Sequence, residues 1–174
     1  TDGEGASVSL SDFRGKVVVL NFVYARCREI CPPHMAILSD LQDRVDRLGL
    51  ADRVEFITLA TDTEASDETA GIIARYGADF GLEPGNWRML HRGERAPRTV
   101  IDLAAEYGLE FRVVMEATAE QEPSNAGVER QVHGAVTHVI GPAGRLRARF
   151  HGLRFGRDTF ADYVQALVER EVAR

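Results

Sequence analysis

Val17-Val18-Val19-Leu20-Asn21-Phe22-Val23-Tyr24-Ala25-Arg26-Cys27-Arg28-Glu29-Ile30-Cys31-Pro32 is the stretch that decides the fold. Residues 17–24 are nearly all apolar and β-branched or aromatic, the pattern of a strand buried on both faces. Pro32 and Pro33 follow, and proline is tolerated in a first helical turn, so a helix should begin near them. The two cysteines of the chain, Cys27 and Cys31, therefore sit where a buried strand ends and a helix begins. A helix start leaves backbone N–H groups without partners and carries a partial positive charge. Thiols held there ionise more easily, and the thiolate is the form that binds metals and attacks disulfides.

Outward from this stretch the order of elements emerges. Ser11 to Lys16 reads as a turn ahead of the strand. Met35, Ile37, Leu38, Leu41, Val45 and Leu48 recur at helical spacing, and Gly49 ends the run. Residues 54–61 form a second buried strand, left through Asp62. Ser66 or Asp67 is placed to cap a helix carrying Ile72, Ile73 and Tyr76 and stopping near Gly77. A short strand at 87–90, a helix at 98–107 and a short strand at 110–114 follow. Residues 116–131 are polar and turn-rich, the composition of a mobile insertion. Residues 135–140 and 145–150 flank Gly141-Pro142-Ala143-Gly144 as a hairpin. Alternating Arg145, Arg147 and Arg149 mark a wet face of its second strand. An amphipathic helix at 160–172 closes the chain. Parallel strands joined by helices, with an antiparallel hairpin at the end, predict an α/β sandwich of the thioredoxin type. We expect a central mixed sheet with flanking helices, in one domain across residues 1–174, with 1–8 as a flexible lead-in.

Composition narrows the function. The 174 residues carry 21 basic and 27 acidic side chains for a net charge of −6, with no basic block of the kind nucleic acid requires. No stretch approaches the ~20 apolar residues of a membrane span. The chain opens on Thr1, as expected for a processed soluble domain whose leader or anchor has been removed.

The cysteine pair has three residues between its members, where thioredoxin-like redox motifs have two. The wider loop lets both sulfurs face one point. Two thiolates suit a soft ion such as Cu(I), or Zn(II). The plain alternative is a structural disulfide or a pair of inert thiols. A third donor is to be sought among five histidines. His34 would complete a local triad with Cys27 and Cys31 if one helix ran through all three, but the prolines start that helix too late, and His34 is expected to be exposed. His133 lies between the polar insertion and the strand at 135–140. His138 is five residues further on, which turns it to the opposite face of an ideal strand. Asp62 leaves the second strand on the same sheet edge as the cysteines, either as a turn acid or as a group that orients a ligand.

With these residues in place the chain resembles the Sco/SenC family of thioredoxin-fold copper proteins. The likeness runs from about Ser9 to Val168. It rests on Gly15-Lys16, Asn21-Phe22, Cys27 to Cys31 with Pro32, the strand ending in Asp62, and His133 ahead of the Gly141-Pro142-x-Gly144 turn. The resemblance implies copper, as Cu(I) and Cu(II), bound by Cys27, Cys31 and His133, with Asp62 in a supporting role. It implies a metallochaperone that delivers copper to the binuclear copper site of a cytochrome c oxidase subunit, or reduces that site's cysteines. The implied location is the periplasm or another extracytoplasmic space, with a membrane anchor outside these residues. Two positions differ from the family's pattern. Arg28 stands where proline is common, adding a cation that should favour ionised thiols, and Val132 stands where a polar residue often precedes the histidine.

A different class of function uses the same pair. Cys27 and Cys31 suit a thiol–disulfide oxidoreductase or redox sensor, for which a distal histidine is unnecessary. Such enzymes carry a proline facing the disulfide, whereas Gly134 occupies that region here. A peroxidase of related fold is weaker, since a paired Cys-x3-Cys is not its pattern.

Overall fold

The computed structural model describes residues 1–63, 67–116 and 128–172. Strand β1 (Val17–Val23) lies at the centre of a five-stranded sheet. Its neighbours follow the order β3-β2-β1-β6-β7, with β2 (Val54–Ala60), β3 (Trp87–Leu90), β6 (Val136–Ile140) and β7 (Leu146–His151). Strands β1, β2 and β3 run parallel, while β6 and β7 are antiparallel to their neighbours. This is the mixed thioredoxin-like sheet with a C-terminal hairpin that the element order predicts.

Every residue of β1 is buried, because helices cover both faces. Val17, Val19 and Val23 pack with Met35, Leu38, Leu41 and Val45 of α1 (Cys31–Arg47) and with Phe160, Val164 and Leu167 of α4 (Arg157–Val172). Val18, Leu20 and Phe22 face the other way, onto Val100 and Ala104 of α3 (Thr99–Glu106) and onto Phe13. The alternation of a strand thus divides one apolar run between two layers. Asp40 and Arg157, at 3.1 Å, join α1 to α4 on the surface, as do Arg44 and Asp158. Arg145, Arg147 and Arg149 are exposed, as the alternation suggested.

Helix α2 (Asp67–Asp79) runs past Gly77, where the sequence suggested a stop. Gly77 is there for a close approach: a Cβ on it would lie 2.1 Å from the Trp87 ring. The chain turns instead at Gly81, whose φ of +72° is the left-handed conformation a helix end favours. The residues proposed to cap α2, Ser66 and Asp67, have no described side chains.

The expected insertion at 116–131 is corrected at its C-terminal end. Residues Val128–Val132 are strand β5, paired antiparallel with β4 (Arg112–Glu116). β4 itself begins and ends two residues later than the sequence suggested. The mobility expected of 117–127 falls outside the described residues. At the start of the chain Thr1 donates its ammonium to His91 O at 2.9 Å, and His91 N donates back to Thr1 O at 2.8 Å. No helix among the described residues is long and apolar enough to cross a membrane.

Candidate metal centre

The cysteine loop leaves β1 at Tyr24 and enters α1 at Cys31. Cys27 N donates to Tyr24 O at 2.9 Å, closing a tight turn. Asp62 fixes the same turn from β2, accepting a hydrogen bond from Ala25 N at 2.9 Å on its Oδ2. The turn-acid reading of Asp62 is therefore realised, and its buried carboxylate also lies close enough to raise the Cys31 thiol.

The two thiols are free and unlike each other. Cys27 is half-buried and Cys31 is fully buried. Cys31 is the first residue of α1, and its N–H points back to Cys27 Sγ at 3.4 Å. The Cys27 thiol is brought down to about 5, chiefly by the hydrogen bond from the Cys31 thiol, with backbone N–H groups of Cys31, Glu29 and Ile30 adding to it against the opposing effect of burial. This is the helix-start effect in detail: donors left over by the first turn converge on one sulfur. Cys31 moves strongly upward, because its proton is held in the bond to Cys27 and because it is buried. The first proton lost by the pair thus comes from Cys27. Arg28 is exposed to solvent, and the donors that lower Cys27 are the neighbouring thiol and backbone rather than a guanidinium.

His133 arrives from the far side of the sheet. β6 pairs antiparallel with β1, Leu20 facing His138 and Val18 facing Ile140. Continued past Val136, that register brings His133 level with the start of the cysteine loop. Its imidazole stacks on Phe111, with ring centroids 4.7 Å apart. Nδ1 donates to Gly134 O at 3.1 Å, so the proton of the neutral ring sits on Nδ1 and Nε2 carries the lone pair. Nε2 is buried and has no hydrogen-bond partner among the described residues. Burial holds His133 below the ordinary imidazole range, although the Gly134 carbonyl and the nearby Cys27 pull it upward.

One anchoring residue two positions before His133 was hidden in the sequence. Gln131, the penultimate residue of β5, donates from Nε2 to Thr61 O at 2.9 Å and accepts from Thr61 Oγ1 at 2.6 Å. The same hydroxyl lies 3.0 Å from Val23 O, so its single proton is shared. The β4–β5 hairpin is thereby clipped to the end of β2, one residue before Asp62.

His34 does not join the cysteines. It is buried at 2 % exposure, contrary to the expectation of a solvent-facing residue, and its Nε2 meets Thr137 Oγ1 at 2.9 Å. Burial, with His133 and His138 nearby, lowers it to about 4. His138 is also buried, donating from Nε2 to Tyr107 O at 3.1 Å on the α3 side of the sheet. Tyr76 of α2 is a buried core residue. It belongs to the same packed cluster as Cys31, with Cys27 against it.

Asp62 thus anchors the loop that carries Cys27 and Cys31, and Cys27 is near enough to His133 to act on it. Among the described residues, no three His, Cys, Asp or Glu side chains yet stand at ligand spacing around one point.

Known proteins place this architecture. The SCO1/SenC family model matches residues 1–169. Among solved structures, a SCO1/SenC family lipoprotein from Bacillus anthracis str. Ames superposes with a TM-score of 0.75 at 18 % identity, covering 96 % of this chain and 90 % of that one. ScoI of Bradyrhizobium japonicum with copper bound gives 0.72 at 20 % identity, covering 96 % and 94 %. BsSco, a member of the Sco family of cytochrome c oxidase assembly proteins in which a disulfide switch was identified, gives 0.72 at 20 % identity, covering 97 % and 90 %. With its family model matched from Thr1 almost to the C-terminus, the chain belongs to the SCO1/SenC family.

Proposed function

We propose that the protein carries copper as cargo on Cys27, Cys31 and His133 and passes it to a copper protein being assembled outside the cytoplasm. The observation that carries this reading is the helix-start Cys27 sulfur lying close enough to act on His133, whose buried Nε2 has no partner among the described residues. Two sulfurs and one neutral imidazole suit Cu(I) in three-coordination, and an added oxygen donor would suit tetragonal Cu(II). Two thiolate charges offset those of Cu(II), which eases its burial. Since no three such donors among the described residues stand at ligand spacing, loading draws Cys27, Cys31 and His133 together.

The acceptor we favour is a cytochrome c oxidase subunit, because family members that share this fold assist assembly of that enzyme. Copper on a relative of the same fold supports the cargo, and a lipoprotein relative supports an anchored, extracytoplasmic setting. The test is metal analysis and visible absorption after Cu(II) is added to the reduced protein. Stoichiometric copper with a thiolate-to-copper charge-transfer band is expected; loosely held copper without that band rejects the site.

The asymmetry of the thiols favours a second reading. Cys27 is the accessible, ionised sulfur and Cys31 the buried, protonated one. In thiol–disulfide exchange the Cys27 thiolate would attack a partner's disulfide, releasing one partner thiolate. Cys31, losing its proton, would then displace the other, leaving Cys27–Cys31 oxidised and the partner reduced. His133 takes no part in that sequence, so His133→Ala separates the readings: copper is lost and exchange is retained.

A further inference from the structure

One step past the outermost pair of the β4–β5 hairpin, Arg112 with Val132, the antiparallel register sets Phe111 opposite His133. The two rings meet there, with centroids 4.7 Å apart and planes 35° from parallel. Residues opposed across an antiparallel pair bring their side chains together, and aromatic partners at such positions hold one another. Phe111 is itself seated. It is partly buried and packs on the core layer that contains Leu109 and Val136. The copper chemistry of two sulfurs and an imidazole makes no use of this ring.

His133 needs such a seat. It lies just beyond the last residue of β5, between exposed Val132 and exposed Gly134. The bond from Nδ1 to Gly134 O, at 3.1 Å, ties the imidazole only to its own chain neighbour. A ring held by one such bond can swing about it, and a ligand that swings must give up that freedom on binding. The face of Phe111 removes the swing. Phenylalanine also brings no polar atom, so the stack leaves Nε2, which has no partner among the described residues, unspent. Ring pairs keep their attraction at centroid separations of roughly 4.5–7 Å. This pair stands at the short end of that range, so the imidazole can shift toward the sulfurs and keep its seat.

We propose that Phe111 is a positioning residue for the copper site, its ring opposed to His133 across the end of the hairpin and holding the imidazole ready for the metal. This rests on the reading of His133 as a copper ligand. Phe111 offers the metal no donor atom and acts only through His133.

The test compares wild type with Phe111→Leu, which keeps apolar bulk and loses the ring, and with Phe111→Tyr, which keeps the ring. His133→Ala and the variant carrying both Phe111→Leu and His133→Ala complete a double-mutant cycle. In the metal-free proteins the carbon-bound protons of the His133 ring are identified by their loss in His133→Ala. In wild type and Phe111→Tyr the current of the facing ring should displace their resonances; in Phe111→Leu they should return toward ordinary imidazole positions. Competition with a Cu(I) chelator should show binding about 2–10-fold weaker in Phe111→Leu, the worth of one aromatic pair, and wild-type binding in Phe111→Tyr. In the His133→Ala background, Phe111→Leu should weaken copper no further. Undisplaced ring protons in wild type would overturn the inference, whether or not Phe111→Leu folds. An equal loss of affinity with and without His133 would also overturn it, since that is what a merely structural role produces. So would a Phe111→Leu that binds copper as tightly as wild type or more tightly. If His133→Ala binds copper like wild type, the copper reading of His133 falls and the role of Phe111 falls with it, while displaced ring protons would leave the stack itself standing.

Discussion

Gln131→Leu should loosen the hairpin that delivers His133. The side chain is 5 % exposed and makes two bonds to Thr61, at 2.9 and 2.6 Å. Leucine has a similar volume, so packing changes little. The Thr61 hydroxyl retains Val23 O as acceptor at 3.0 Å. The Thr61 carbonyl loses the Gln131 amide as donor, and a buried carbonyl left unsatisfied costs about 1–3 kcal/mol. That penalty falls on the attachment of β5 to the sheet, so the loss should appear first as local opening of the hairpin. If copper binds only the clipped form, its affinity should fall by the same free energy, about 5–150-fold. Urea unfolding of the metal-free variant and competition for Cu(I) with a chelator measure the two effects. A variant that matches wild type in both would refute the argument that Gln131 presets His133.

Further outcomes follow from the same geometry. Cys27 titrates far below the ordinary thiol value of 9 and Cys31 far above it, so the two act on stability in opposite directions. The depressed Cys27 contributes stability that is complete above about pH 9 and is lost as pH falls toward about 5; the raised Cys31 contributes below about pH 9 and is lost above it. The reduced, metal-free protein should therefore gain from this pair up to about pH 9 and lose beyond it, and Cys27→Ser should flatten the acid side in pH-dependent unfolding. Iodoacetamide should label Cys27 before Cys31, with a rate midpoint near pH 5; labelling that follows an ordinary thiol would contradict the helix-start donors. Gly77→Ala drives a Cβ into the Trp87 ring at 2.1 Å and should destabilise by about 1–3 kcal/mol. An altered near-ultraviolet Trp signal should accompany it, and an unperturbed melting curve would contradict the close approach.

Much of the fold could be read from the chain because its signals are local. The apolar run at 17–24 could only be a strand covered on both faces, and Pro32 and Pro33 dated the start of α1 to within a residue. β5 could not be read, because Val128-Glu129-Arg130-Gln131-Val132 has no two-residue apolar period. It is a strand through its pairing with β4. Gln131 shares that obscurity, since its two bonds reach a residue seventy positions away. His34 was misjudged although the pattern was present. It falls on the inward stripe of α1 with Leu38, Leu41 and Val45, all buried, and a polar residue on an apolar stripe calls for a buried partner, here Thr137. Tyr76 read as core, which it is, buried in the cluster that also holds Cys31.

The central claim is that the distal His133, and not the neighbouring His34, completes a copper site with Cys27 and Cys31. Cu(I) competition titrations on wild type, His133→Ala and His34→Ala test it most directly, with circular dichroism to confirm that each variant is folded. Loss of a direct ligand should weaken copper by at least the ~10–100-fold typical of losing a mere supporting partner, so His133→Ala should fall by that much or more. His34→Ala, which gives up a hydrogen bond to Thr137 inside the core, should bind copper nearly as wild type does while melting at a lower temperature. A folded His133→Ala that binds copper like wild type, or a His34→Ala that alone loses it, would contradict the account.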